Sequence, residues 1–212
     1  MIGRNVLRRF SALLVFVGVV LATAVASPAQ AKWYVDTKLG EVKPEEKVTP
    51  LHPKPVQLLF EFQRDAKPNP AATKAVGPWA LEDVKATGAF SDVFATPTTD
   101  GAVLSITFNN VVKKDELDKA KKDAFKAGLG FGLFGGAVAT DRYVVTLTYV
   151  AATGAPPITT VVEHALHMKY GNSKVEIPGI EIKKVDDAVK MVIRQALERG
   201  VNTIAADPAF PK

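Results

Sequence analysis

Apolar residues recur at every second position along several stretches of the chain, which is the period of a strand with one buried face. In 143–150, bulky apolar side chains alternate with Thr and Val. The stretches 56–62, 102–108 and 158–170 follow similar patterns, and a Gly- and Pro-containing turn at 153–157 precedes the last of them. These four stretches predict the main strands of a sheet. Shorter strands are predicted at 90–94 and, as a short pair, within 174–183.

Three other stretches have the period of about 3.6 residues that is typical of an amphipathic helix. The first, 71–87, contains a Gly-Pro step at 77–78 that is expected to bend or split it. The second, 112–125, carries a thin apolar stripe among many charged residues. The third, 185–201, starts with acidic residues and is expected to end near Gly200.

The predicted strands and helices form one α+β domain over 56–205. A mostly antiparallel sheet with helices packed on it would give two layers. The preceding segment, 32–55, contains several prolines and has no apolar period, so it predicts an extended, Pro-rich tether. Residues 206–212 are expected to form a C-terminal tail.

The N-terminal residues have the composition of an export signal. Arginines within 1–9 precede the apolar run 13–21, and a small-x-small pattern ends at Ala31. This predicts a signal peptide over 1–31 and a mature chain that begins near Lys32. The long apolar run favours export by the general secretion route, and the Arg8-Arg9 pair leaves the twin-arginine route as the alternative. The expected location is the periplasm, with peripheral association with a membrane left open.

Charge and cysteine content narrow the classes of partner. The formal net charge of the chain is +5, and part of it comes from arginines in the predicted signal peptide. The lysines of the domain are mixed with acidic residues along helices and do not form a basic stripe, so no nucleic-acid interface is predicted. The chain has no cysteine, which excludes disulfides and a lipid-carrying cysteine at the cleavage site.

An uncharged, glycine-dense run at 127–140 separates the charged helix from the strongest strand. As a helix, the run would place Gly128, Gly132 and Gly136 in one groove where another helix can approach closely. As a strand, it would place its large apolar side chains on one face and only glycine hydrogens on the other. The periodicity leaves both conformations open.

The glycine-rich run also leaves two roles open. A helix over it would be about 21 Å long, whereas the hydrocarbon core of a bilayer is about 30 Å thick, so the run is too short to span a membrane. It is then either an apolar contact surface for a membrane or a partner, or a buried connector. In the first interpretation the contact residues are Gly128, Leu129, Phe131, Gly132, Leu133, Phe134 and Gly136.

The segment containing Glu163, His164 and His167 is the only stretch that resembles a chemical site. Zinc-binding helices place histidines at i and i+4 with a glutamate between them, whereas these histidines are at i and i+3 with the glutamate outside. In the predicted strand they would also point to opposite faces. No metal, cofactor, nucleophile motif or phosphate-binding loop is predicted, and we expect no enzyme.

Two short sequence segments resemble those of a known family: ATGAFSDV at 86–93 and TDRYVVTLTY at 140–149. With the order of elements over 56–205, they resemble small envelope proteins of Gram-negative bacteria, similar to the auxiliary lipoproteins of transport and outer-membrane assembly systems with a TolB N-terminal-like domain. The resemblance implies a non-enzymatic envelope protein and brings no catalytic residues. This chain departs from the family by lacking the lipidated cysteine, which shifts membrane contact onto the glycine-rich run.

The sequence therefore predicts a non-enzymatic exported protein that docks onto a membrane or onto envelope assembly or transport machinery through its glycine-rich run. The alternative is a periplasmic module that binds a small ligand or peptide on an open sheet face or edge. A homo-oligomer is left open.

Overall fold

A computed structural model describes residues 31–99, 101–112, 118, 122, 136–171 and 174–211. The strands are β1 (Lys32–Asp36), β2 (Val56–Arg64), β3 (Lys67–Pro68), β4 (Val93–Phe94), β5 (Val103–Val111), β6 (Gly136–Val150), β7 (Ile158–Gly171) and β8 (Gly179–Ile182). The helices with described bounds are α1 (Pro70–Ala86) and α2 (Val185–Ala206), and a short 3-10 helix covers Pro44–Glu46.

The eight strands form one mixed sheet in the order β3-β2-β5-β6-β7-β1-β8, and β4 pairs with β2. Strand β2 runs parallel to β4 and β5, and the other neighbouring strands are antiparallel. The helix α1 connects β3 to β4, so it forms the crossover between the parallel strands β2 and β5. The predicted α+β class with a mostly antiparallel sheet is confirmed.

The hairpin of β6 and β7 is the longest ladder of the sheet. It runs from the pair Tyr149–Ile158 to the pair Gly136–Gly171. Strand β5 accompanies β6 only as far as the pair Val111–Arg142. Among the described residues, the first part of β6 therefore pairs on one side only, with β7.

Both helices pack on the same face of the sheet. Helix α1 buries a stripe of small and medium apolar residues, and the side chain of Asn69 caps its first turn by accepting a hydrogen bond from the Ala72 N–H at 3.2 Å. Pro78 lies inside α1 but does not split it, since the helix is continuous and Pro78 is on its exposed side. The buried residues of this stripe are Ala72, Val76, Ala80 and Val84.

Helix α2 continues past Gly200 to Ala206. The sequence predicted that the helix ends near Gly200, and this prediction is wrong. A Cβ at this position would overlap the side chain of Leu147 on β6, so glycine lets α2 approach the sheet closely. Leu147 is fully buried beneath the helix.

The segment predicted to be a tether differs most from its prediction, because its first residues are a strand inside the sheet. Strand β1 pairs with β7 on one side and β8 on the other, and its residues Trp33 and Val35 are buried under the helix layer. Two apolar residues are too few to show a period. Beyond the strand, Glu41 and Glu46 form ion pairs with α2, so this part of the segment is also held against the domain.

The predicted short pair of strands within 174–183 is a single strand, β8, that pairs with β1. Of the predicted helix 112–125, the structure describes Val112, Asp118 and Lys122, and the last two are helical. Within the described part of the chain, no helix has the length and apolar content that crossing a membrane requires.

Candidate functional site

The two faces of the sheet have different surroundings. On the face that carries α1 and α2, the covered face, every second residue of the central strands is buried, including Leu104, Phe108 and Leu147. On the other face, the open face, the alternate residues of the same strands remain accessible. Large apolar side chains on the open face keep much of their surface exposed: Leu59 47%, Val150 38% and Val161 57%.

The centre of the open face is a tract of hydroxyl and β-branched side chains. Cross-strand rows bring together Ser105, Thr148 and Thr159, and next to them Thr107, Thr146 and Val161. The hydroxyls of Thr148 and Thr159 are 3.1 Å apart and hydrogen bond to each other. The tract is therefore uncharged and only partly polar, which suits contact with another surface.

Next to this tract is a depression of about 370 Å³ whose floor is Ala165 on β7. Arg142 lies directly across from Ala165 on β6, and the register of β1 places Asp36 on its other side. Glu163 precedes Ala165 by two residues on the same face. We call this feature the Ala165 depression; besides Ala165, the residues that line it are Asp36, Lys38, Leu39, Val111, Arg142, Tyr143, Val144, Glu163 and His164.

The depression exists because alanine is short where its neighbours are long. Neighbouring strands are about 4.8 Å apart, so the backbones that carry Arg142 and Asp36 are about 10 Å apart with Ala165 between them. Charged side chains from both flanking strands line a floor that carries a single methyl group. The site thus combines an apolar base with charges of both signs.

His167 borders the depression and is held by its neighbours. Its Nδ1 is 2.9 Å from the Thr140 hydroxyl, and its Nε2 is 3.4 Å from Oδ2 of Asp36. The second contact lacks hydrogen-bond geometry within the described residues. A Thr-His-Asp relay would need that bond to orient the imidazole. The contacts of His167 join the three strands β6, β7 and β1.

Asp36 also fixes the turn that lines the depression. Its Oδ1 accepts a hydrogen bond from the Lys38 N–H at 2.6 Å, while its Oδ2 faces His167. Both oxygens of Asp36 therefore have defined directions. The turn after β1, which carries Lys38 and Leu39, is held beside Ala165 as a result.

His164 lies on the covered face and has a different environment from that of His167. Its Nε2 is 2.8 Å from Oε1 of Gln195 on α2, and both side chains are buried. Because a carbonyl oxygen only accepts, the contact places a proton on Nε2. Burial lowers the pKa of His164, against the opposing effect of the Gln195 hydrogen bond. The prediction that the two histidines point to opposite faces is confirmed, so they cannot share one ion.

A second groove, of about 350 Å³, lies on the helix layer between α1 and α2. The Lys190 ammonium is 5.0 Å from the centre of the Trp79 ring, and Arg194 forms a 2.5 Å ion pair with Glu41. Burial raises the pKa of Asp83 in this groove to about 6, although the nearby Arg194 acts in the opposite direction. The cations of this groove already have partners within the chain.

At the far edge of the open face, the carboxylate of Glu181 is engaged by two neighbours from β1. It accepts a hydrogen bond from the Tyr34 hydroxyl at 2.9 Å and pairs with the Lys32 ammonium at 3.1 Å. These hydrogen bonds, first that from Lys32, lower the pKa of Glu181. The three side chains join β1 to the edge strand β8 and lie outside the depression.

The predicted contact residues lie largely outside the described part of the chain. Gly136 begins β6, opposite Gly171. The remaining ones are Gly128, Leu129, Phe131, Gly132, Leu133 and Phe134, which the structure does not describe. The glycine-rich run therefore enters the sheet at the start of β6, about 20 Å along the strand from Arg142.

Sequence reasoning missed the residues that form the Ala165 depression. The alternation in 143–150 separates two faces, but it does not say which of them the helices cover. Asp36 and Lys38 were assigned to a tether, and Glu163 was considered only as a neighbour of two histidines. The one usable signal was an alanine whose same-face neighbours in the predicted strand, Glu163 and His167, are both polar.

No protein-family model and no curated protein matches the chain significantly. Solved structures with a similar arrangement include the PelC dodecamer from Paraburkholderia phytofirmans, at 12% identity over 82% of this chain and 98% of that one, with a TM-score of 0.34. A variant of that dodecamer matches at 15% identity over 71% and 88%, with the same score. A minor lipoprotein from Acinetobacter baumannii matches at 14% identity over 74% and 90%, with a TM-score of 0.34. At these values the likenesses assign the chain to no family.

Proposed function

We propose that this chain is an exported, non-enzymatic protein of the cell envelope that docks onto envelope machinery or the membrane surface. The open face, together with the glycine-rich run that leads into β6, would form the docking surface. The observation that carries the proposal is the accessible side of the sheet, where Leu59, Val150 and Val161 remain exposed around an uncharged Thr and Val tract. The free energy falls when another surface covers such exposed apolar side chains and removes them from water.

The proposed export rests on the predicted signal peptide at 1–31 and is compatible with the fold. Cleavage after Ala31 would leave β1 intact, since that strand begins at Lys32. Strand β1 lies between β7 and β8, so the fold requires the chain from Lys32 onward.

The absence of catalysis is also part of the proposal. The Thr140, His167 and Asp36 side chains have the composition of a nucleophile, a base and an orienting acid, but the contact between His167 and Asp36 is not a hydrogen bond. The His164 ring is buried, and its Nε2 is bound to Gln195 on the covered side of the sheet. Neither histidine is thus presented to a substrate as an activated base.

The proposal can be tested by photo-crosslinking from the open face in cells. A crosslinking residue at Val161 should capture an envelope component, and one at Phe131 should capture the same component or lipid. Val161→Asp should abolish capture from Phe131 without unfolding, because the residue is exposed. Leu51→Asp is the matched control, since Leu51 is 85% exposed in a loop outside the sheet.

Loss of capture in the Val161→Asp variant, with capture retained in the Leu51→Asp variant, supports docking through the open face. Capture of a second copy of this chain alone would instead identify a self-association surface and contradict docking onto other components. A wild-type protein that fractionates as freely soluble and gives no crosslink from either position would overturn the proposal.

A second candidate function is the binding of a small ligand or peptide by a periplasmic module. The observation that favours it is the Ala165 depression, which is concave, has an apolar floor and carries converging charged groups. Binding of a small molecule to the purified protein without any envelope component would favour this candidate.

A further inference from the structure

We propose that the bond between Ala31 and Lys32 is cleaved before β1 takes its place in the sheet, so that the chain crosses the membrane unfolded by the general secretion route. This inference rests on the proposed export and adds the order in which processing and folding occur. The observation behind it is the position of β1. This strand begins at Lys32, directly after the predicted cleavage site, and lies inside the sheet between β7 and β8.

The fold holds the residues on both sides of the predicted cleavage site. Lys32 pairs with Lys169 of β7, and its ammonium is 3.1 Å from the carboxylate of Glu181 on β8. Ala31 is partly buried and packs against the core, and Trp33 is only 8% exposed. A protease binds the residues around the cleaved bond as an extended segment, so these residues must leave the sheet before cleavage.

The interior position of β1 makes its release unfavourable. Both edges of β1 are paired, and Trp33 and Val35 are buried under the helix layer. A Cβ at Gly179 of β8 would lie 2.8 Å from the Val35 carbonyl oxygen, so β8 lies close against β1. Release of β1 also removes the strand that joins β8 to the sheet. An opening that frees the cleavage site therefore disrupts two ladders and part of the core, and it is rare in the folded domain.

This arrangement distinguishes the two export routes that the signal allows. The twin-arginine route exports chains that are already folded, whereas the general secretion route exports unfolded chains. In a folded chain no spacer residue separates the cleavage site from β1, since Lys32 is both the residue after the site and the first residue of the strand. An unfolded chain exposes the same bond until β1 pairs. The fold thus favours the general secretion route over the alternative that Arg8 and Arg9 leave open.

The first test compares folded and unfolded forms of the full chain, 1–212, as substrates of purified signal peptidase in detergent. One sample is diluted rapidly from urea into the peptidase, and the other is refolded first, with folding verified by its urea denaturation curve. We expect the refolded chain to be cleaved at least about a hundredfold more slowly, because cleavage requires an opening that exposes Trp33 and Val35. Equal rates of cleavage would overturn the inference.

An insertion variant tests whether the position of β1 causes the protection. A Gly-Ser-Gly-Ser-Gly-Ser spacer between Lys32 and Trp33 keeps the cleaved bond and moves it away from the sheet, so the refolded variant should be cleaved about as fast as the diluted one. The matched control has the same spacer between Thr153 and Gly154, in an exposed turn outside β1, and should stay protected. Equal acceleration by both insertions would indicate general destabilisation and would overturn the inference.

The export route is tested in cells by pulse labelling. A variant that combines Arg8→Lys with Arg9→Lys should be processed at the rate of the wild type, whereas inhibition of general secretion with azide should stop processing. Loss of processing in the arginine variant alone would show export by the twin-arginine route and would overturn the inference.

The outcomes separate this inference from the proposed export. If neither the diluted nor the refolded chain is cleaved after Ala31, the predicted cleavage site is wrong, and the proposed export loses its basis together with this inference. If both forms are cleaved there at the same rate, the export proposal stands and only the order of processing and folding is wrong.

Discussion

The covered and open faces of the sheet come from the same strands but have different roles. Along β6, Tyr143 and Val145 are buried under the helices, while their neighbours Val144 and Thr146 are accessible on the other side. Both sets are compatible with strand formation. The comparison teaches that alternation defines two faces, and that only the cover provided by other elements turns one of them into a core.

The two histidines of β7 repeat this comparison at the level of single residues. His164 is buried against Gln195, and burial lowers its pKa. His167 lies on the open face between Thr140 and Asp36. Because the two histidines are an odd number of residues apart on one strand, they lie on opposite faces of the sheet. His164 contacts a helix, and His167 lies beside the Ala165 depression.

Substitutions at two adjacent residues of β5, one on each face, should differ most in their effect on the free energy of unfolding. Phe108→Ala removes a fully buried ring that stacks on Phe62 at 5.5 Å, and it should lower the free energy of unfolding by about 3–5 kcal/mol. Thr107→Ala on the open face should change it by less than about 0.5 kcal/mol. Urea denaturation measures both. Similar losses in the two variants would mean that the open face is packed as tightly as the covered one.

The next contrast concerns glycines in the two helices. Gly200→Ala should destabilise by about 1–2 kcal/mol, because the new methyl group overlaps the buried Leu147 and this outweighs the gain in helix propensity. Gly77→Ala in α1 should destabilise less than Gly200→Ala, since its methyl group would lie 3.9 Å from Phe60, an ordinary contact, and meets only the preference of a residue before Pro78 for a non-helical backbone. Thermal denaturation of both variants tests the close approach of α2, and a stabilised Gly200→Ala variant would contradict it.

His164 should make the covered face sensitive to acid. Its pKa is lowered on folding by burial, so its contribution to stability is present above the unfolded pKa of about 6.5 and is lost as the pH falls toward the lower folded value. His164→Gln should reduce the loss of stability between pH 7 and pH 5, because the buried group that must take up a proton is removed. Denaturation curves at several pH values measure this slope. An unchanged slope would exclude His164 as its source.

The carboxyl group of Asp83 should favour the folded state at low pH, the opposite of His164. Its effect on stability should be the smallest of those predicted. Its pKa is raised on folding to about 6, so the folded state is favoured below the usual carboxyl pKa and loses this advantage as the pH rises through about 6. Asp83→Asn should stabilise the protein at pH 7 by less than about 1 kcal/mol, because the carboxyl is partly solvated. The gain should vanish at pH 4. Glu82→Gln, at an exposed neighbouring position, serves as the control.

Strong periods in the sequence predicted most of the central elements. The long strands β6 and β7 and the helices α1 and α2 have many residues over which alternation or helical spacing can be read. Short elements did not have this advantage. Strand β1 has two buried apolar residues followed by polar and Pro-rich sequence, so its local pattern resembled that of a linker.

The candidate site was less accessible to sequence reasoning than the fold. The Ala165 depression combines residues of β1, the following turn, β5, β6 and β7, and its floor is a residue without any functional group. Arg142 and Asp36 are far apart in the chain, and only the register of β7 between β6 and β1 brings them to either side of Ala165. No local motif encodes such a register.

Local sequence patterns are sufficient to predict alternating strands, amphipathic helices and an N-terminal segment with export-signal composition, because these properties depend on residues that are close together in the chain. Tertiary structure decided that β1 inserts between β7 and β8, that α2 passes Gly200 to rest on Leu147, and that both helices cover the same face. These outcomes depend on contacts between residues far apart in the chain, whose free energies arise only when the whole sheet has formed.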